Sequence, residues 1–192
     1  DYPGTGAELA EHLIRRMGVE GVRVERTEQG DHYDPEARCV RLMPDHYDGR
    51  SLTAVTVAAH EVGHAIQHHE GYAPLLARSR LVRVAQKAEK LGAILMMAAP
   101  FLFLLTRLPG GLAMIIVMAV ISFGTAALVH LVTLPVEFDA SFNRALPLLK
   151  EYVPPADMAG ARHVLTACAF TYVAASLASV MNLGRWLVIL RR

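Results

Sequence analysis

Three stretches without a single charged side chain, residues 91–105, 108–136 and 164–184, constrain this chain more than any other feature. Each is long enough, or nearly so, to cross a hydrocarbon core, which needs about 20 apolar residues. A buried helical hairpin would satisfy one or two such runs. Three of them in 192 residues leave little polar surface to cover them. The runs, together with a mean hydropathy of +0.31, therefore predict a mainly α membrane protein with about three transmembrane helices. Thr106-Arg107-Leu108-Pro109-Gly110-Gly111 reads as the tight turn of a transmembrane hairpin. Residues on either side of that hairpin then share one face of the membrane. Arg78, Arg80, Arg83, Lys87, Lys90, Arg144, Lys150 and Arg162 cluster there, against Arg107, Arg185, Arg191 and Arg192 opposite. The positive-inside rule assigns the first group to the cytosol of a multi-pass protein. The expected division is a cytosolic domain over 1–90, a transmembrane hairpin over 91–132, a cytosolic helical segment over 133–163 and a C-terminal transmembrane helix over 164–190.

The polar part reads as a small α+β domain. Thr5-Gly6-Ala7-Glu8 fits a capping box, and Leu9, Leu13, Ile14 and Met17 continue a helical stripe as far as Gly18. Val22–Glu25 and Cys39–Met43 alternate as strands do, and Glu28-Gln29-Gly30-Asp31 offers a turn between them. The second strand either leaves an edge open to an extended peptide or is a sheet strand with no substrate contact. The chain opens at Asp1 with no signal-peptide pattern, an opening compatible with removal of an upstream segment. A net charge of +1 argues against a nucleic-acid partner. The basic stretch from Pro74 to Lys90 suits a lipid surface instead. Two cysteines, Cys39 and Cys168, are too few for a disulfide framework.

Within this domain, Ser51 is a plausible N-cap for a helix running to His69, and Gly71 marks its stop. It contains His60-Glu61-Val62-Gly63-His64. Two histidines four residues apart project from one helix face and can reach one metal ion, with Glu61 placed to take a proton from water. Gly63 weakens the helix by about 1 kcal/mol relative to alanine, which a close approach to another backbone or to a substrate would explain. A catalytic zinc takes three protein ligands. His68 continues the same face, but one straight helix rarely closes three ligands on a metal. A metzincin pattern would want Gly at 67 and His at 70, where Gln67 and Glu70 stand. Glu137, just beyond the second apolar run, is the better third ligand, with Asp139 its nearest rival. His130, seven residues earlier, falls on a similar face as a lipid-interface residue or a hydrogen-bond partner for the site.

Thr56-Val57-Ala58-Ala59-His60-Glu61-Val62-Gly63-His64-Ala65-Ile66-Gln67 resembles the zinc-binding stretch of the YugP-type membrane-bound neutral zinc metallopeptidases. Asp31–Pro35, Glu70–Pro74, Leu131–Phe138 and Leu165–Ala175 resemble the same family. The resemblance implies a gluzincin-like bacterial membrane peptidase using Zn²⁺, with a zincin-like domain whose third ligand is a Glu on a later helix; Glu137 fits that place. Members usually carry a further N-terminal hydrophobic segment, and nothing before Leu91 here is able to span. Related membrane gluzincins often have Asp four residues after the ligand Glu. Ser141 stands there, so a carboxylate orienting a zinc histidine must come from elsewhere. The expected chemistry is amide hydrolysis with Glu61 as general base, and Tyr33, His32, Tyr47 and Arg144 as candidate oxyanion donors. Peptides or membrane proteins are the expected substrates. Small residues such as Gly124, Ala126 and Ala174 permit packing against a membrane-protein partner or a second copy. The rival reading is a non-catalytic membrane scaffold with a structural or vestigial zinc site.

Overall fold

The computed structural model describes residues 2–106, 129, 132–171 and 174. They are mostly helical, with one small sheet. Helix α1 (Gly6–Arg16) opens with the reciprocal capping box: Thr5 Oγ1 accepts from the Glu8 N–H, and Glu8 Oε2 accepts from the Thr5 N–H. Leu13 and Ile14 turn into the core, whereas Met17, already past the last helical residue, is 41% exposed and falls outside the expected stripe.

The sheet has three strands, β1 (Arg23–Arg26), β2 (His32–Asp34) and β3 (Cys39–Leu42), in the order β1-β3-β2. Strand β3 runs parallel to β1, with Arg23 opposite Cys39, and antiparallel to β2, with Tyr33 opposite Val40. The candidate for a free edge, β3, is therefore paired on both sides. Its apolar residues explain why: Cys39, Val40 and Leu42 are all fully buried, as befits a central strand. The edge strands are β1 and β2, and the three residues of β2 are too few for an alternating pattern to reveal.

A four-residue helix, α2 (Pro44–Tyr47), leads into α3 (Leu52–His69). Ser51 caps α3 by accepting the Ala54 N–H at 3.1 Å. At the other end Gly71 adopts φ +67° and returns its N–H to the His68 carbonyl, which stops the helix. Every residue of α3 from Ala54 to Gln67 is buried, because the helix runs through the middle of the domain. Helix α1, helix α2 and the sheet pack on it, and so does the segment after residue 132. That segment is helical over 132–138, widens into a π-helix over Asp139–Ala145, and closes with α5 (Leu146–Leu149). A further helix, 158–171, adds Ala161 and Leu165 to the same core.

The chain divides into two compact units, Asp1–Leu76 with Leu134–Thr171, and Ala77–Thr133 with Tyr172–Arg192. The described part of the second includes most of α4 (Ala73–Thr106). Among the described residues no helix is long and apolar enough to cross a membrane, so the three expected spanning helices are not found there. The 91–105 run lies in α4, which carries Arg78, Arg80, Arg83, Lys87 and Lys90 ahead of that run. Nearly all of 108–136 before residue 132, the 106–111 turn beyond Thr106, His130, Gly124, Ala126 and the end of the 164–184 run lie outside the described residues.

Candidate metal centre

His60 and His64 sit one turn apart on α3, with ring centroids 4.8 Å apart. Glu137, from the end of the 132–138 helix, brings its Oε2 to 3.4 Å from His60 Nε2 and 3.2 Å from His64 Nε2. All three side chains are buried, and together they form a group able to hold a metal ion. The far side of each ring is held as well. His60 Nδ1 lies 3.1 Å from Ser141 Oγ, and His64 Nδ1 lies 3.0 Å from Gln67 Oε1.

Close backbone packing makes this convergence possible. A Cβ added to Gly63 would stand 2.7 Å from the carbonyl oxygen of Ala140. Only a residue without a side chain lets the π-helix lie this close to the two histidines. The π-helix has its own part: its wider turn, closed by the Leu146 N–H on the Ser141 carbonyl, changes the register after Glu137. Ser141 thereby reaches His60 while Asp139, two residues from Glu137, still reaches Gln67.

The two carboxylates of the site are held in opposite ways. Burial pushes the Glu61 carboxyl up to about 7; His60 and the Tyr33 backbone N–H oppose that rise, while Glu137 and Asp31 add to it. Burial acts on Glu137 in the same sense, but hydrogen bonds from His60 and His64 outweigh it and hold Glu137 below the usual carboxylate range. One buried carboxyl is thus poised near neutrality and its neighbour stays ionised.

The other candidates have separate partners. Tyr33 turns its hydroxyl to His68 Nδ1 at 2.8 Å, so neither points to the metal group. His69 is exposed at the end of α3. His32 Nδ1 bonds the Gly30 carbonyl, and Tyr47 lies under the Arg26 guanidinium. Arg144 binds Asp139 and Glu70. Asp139 accepts from Gln67, Asn143 and Arg144 rather than joining the metal group. The residue that sequence reasoning passed over is Gln67, weighed only as a departure from another pattern. Its signal was an amide on the same helix face as His60 and His64, three residues after the second histidine of the motif.

Residues 1–191 match the family model described as "putative neutral zinc metallopeptidase". The chain belongs to this family. It is 41% identical over 188 residues to the "Putative membrane protease YugP" of Bacillus subtilis (strain 168), covering 96% of this chain and 80% of that protein. No solved structure matches it. The family's metal is zinc, and the site fits zinc on its own geometry. Zinc bonds of about 2.05 Å at tetrahedral angles set ligand atoms about 3.3 Å apart. The two Nε2–Oε2 separations, 3.4 and 3.2 Å, match that edge. Protonation points the same way. Gln67 uses its amide nitrogen as donor to the Val136 carbonyl and to Asp139, so its oxygen must accept, which places the His64 proton on Nδ1. His64 Nε2 then faces Glu137 Oε2 at 3.2 Å, where an imidazolium donates its second N–H to the carboxylate and a neutral ring turns its lone pair to a metal ion shared with it.

Proposed function

We propose that this member of the zinc metallopeptidase family hydrolyses peptide bonds at the cytosolic face of the bacterial inner membrane. His60, His64 and Glu137 are its zinc ligands and Glu61 its general base. The observation that carries this reading is the Glu137 carboxylate lying against Nε2 of both histidines of the motif. Zinc held there supplies Lewis acidity towards water and towards a peptide carbonyl. Glu61 takes a proton from the attacking water and delivers it to the amine nitrogen as the C–N bond breaks. A carboxyl held near 7 by burial suits both halves of that cycle. The free edge of β2, the outer strand packed against α3, suits an extended peptide. Support for the membrane comes from the three uncharged runs and from the relative's name, which calls it a membrane protease. The hairpin over 91–132 and the helix over 164–190 remain the proposed spans.

The test is Glu61→Gln in the full chain. The variant should keep one zinc per chain and lose about 10²–10⁴-fold in hydrolysis of a peptide library, the usual share of a general base. Wild-type cleavage by this variant would remove Glu61 from the mechanism. Wild-type protein that takes up zinc and cleaves nothing would favour the scaffold.

A further inference from the structure

Gln67 is fully buried between α3 and the segment that follows Glu137, and both ends of its amide are in use. Oε1 accepts from His64 Nδ1 at 3.0 Å, while Nε2 donates to the Val136 carbonyl at 2.9 Å and to Asp139 Oδ2 at 2.8 Å. The side chain has to be an amide. A carboxylate here would accept from His64 but would oppose two further acceptors, and an aliphatic residue would leave the buried His64 Nδ1 without this partner and take one donor each from the Val136 carbonyl and Asp139. Asp139 Oδ2 also receives Arg144 Nε at 2.7 Å, and Arg144 Nη1 reaches Glu70 Oε2 at 2.8 Å. An unbroken chain of hydrogen bonds therefore runs from the exposed Glu70 through Arg144, Asp139 and Gln67 to His64.

We infer that Gln67 and Asp139 are positioning residues through which a carboxylate that never touches the metal sets the zinc affinity of the site, with Arg144 opposing it. The physical basis is polarisation along the chain. An ionised Asp139 draws on the Gln67 N–H and makes its Oε1 a stronger acceptor. That strengthens the His64 Nδ1–H bond and raises the basicity of Nε2, the effect a directly bonded carboxylate has on a zinc histidine. The Arg144 cation on the same Asp139 oxygen works in the other direction. The carboxylate expected at position 141 is thus replaced by one acting through an amide, while Ser141 gives His60 only a neutral partner. The inference rests on His60, His64 and Glu137 being the zinc ligands.

The experiment measures zinc dissociation constants at fixed pH by chelator competition, with the cobalt(II) visible spectrum as a second readout. Asp139→Asn keeps the oxygen that faces Gln67 and Arg144, removes the charge and gives up the acceptor for the exposed Asn143 amide; it should weaken zinc about tenfold, whereas Asn143→Ala, which removes that last bond alone, should leave zinc affinity unchanged. Arg144→Gln should tighten zinc severalfold. A role confined to holding the fold would make the Asp139 and Arg144 variants both bind more weakly, and that result overturns the relay. On a Gln67→Met background the Asp139→Asn effect should vanish; full additivity also overturns it. In every variant the cobalt spectrum should keep the wild-type coordination. The underlying reading is checked separately by His64→Ala. Unchanged zinc binding there would fell the ligand assignment itself, whatever the relay variants do.

Discussion

Replacing Gly63 with alanine sets a methyl group against the close approach of the π-helix backbone to α3. Ordinary contact needs at least 3.4 Å where the Ala140 carbonyl oxygen leaves 2.7 Å, so α3 and the π-helix must part by about 0.7 Å. Neither neighbour is a flexible side-chain end that might swing aside. Overpacking of this kind costs about 1–3 kcal/mol. Alanine returns about 1 kcal/mol of helix propensity, so the net loss of fold stability is about 0–2 kcal/mol. The metal group tolerates far less movement. Zinc sites hold their bond lengths within about 0.2 Å, while Glu137 and Ser141 belong to the segment displaced from His60. Gly63→Ala should therefore weaken zinc at least tenfold, about 1.4 kcal/mol, while the metal-free protein loses no more than about 2 kcal/mol of stability. Chelator competition gives the first quantity and thermal melts in excess chelator the second. Wild-type zinc affinity in the variant would show that this approach does not set the ligand geometry.

Metal-free protein should lose stability as pH rises from about 4.5 to about 7. In that window the unfolded chain has ionised its Glu61 and the folded one still holds that proton. The slope integrates to about 3 kcal/mol, and Glu61→Gln should flatten it in melts across that range. Glu137 has the opposite sign: its contribution is present above the ordinary carboxylate range and is lost as the medium becomes more acidic. Saturating zinc at about 100 times its dissociation constant should stabilise the fold by about 2.7 kcal/mol, read as a rise in melting temperature that chelator reverses. Thr5→Ala removes the acceptor for the Glu8 N–H and should destabilise α1 by about 1 kcal/mol in denaturant titrations, without affecting zinc.

Much of the site was legible because its first elements are local. A four-residue spacing on a helix puts His60 and His64 on one face whatever surrounds them, and Ser51 and Gly71 bracket that helix by their own backbone chemistry. Glu137 was reachable by reasoning about which polar side chain follows an apolar run. Ser141 and Gln67 were not reachable in that way. Each acts on a partner from another element, His60 on α3 for Ser141 and Asp139 on the π-helix for Gln67. Nothing in the letters DASFNRA announces a π-helix, and without its wider turn Asp139 belongs on another face. Strand β2 was hidden for a different reason. Three residues cannot show a period of two, so a free edge is sought first on the strand that lies in the centre.

The sequence alone determined which side chains the candidate site is built from: a helix with two imidazoles and a carboxyl at fixed spacing, its caps, and an acidic residue beyond an apolar run. Helical spacing is set by hydrogen bonds between near neighbours in the chain, so it survives without any knowledge of the rest. Only the tertiary structure decided that Gly63 lies against Ala140, that an amide rather than a carboxylate grips His64, and that Glu137 reaches both rings. The first and last of these join residues about seventy to eighty positions apart, and the Gln67 amide, three residues from His64, is oriented by Val136 and Asp139 from that same distant segment. Their geometry depends on how two helices approach each other, and a shift of well under an ångström in that approach makes or breaks it.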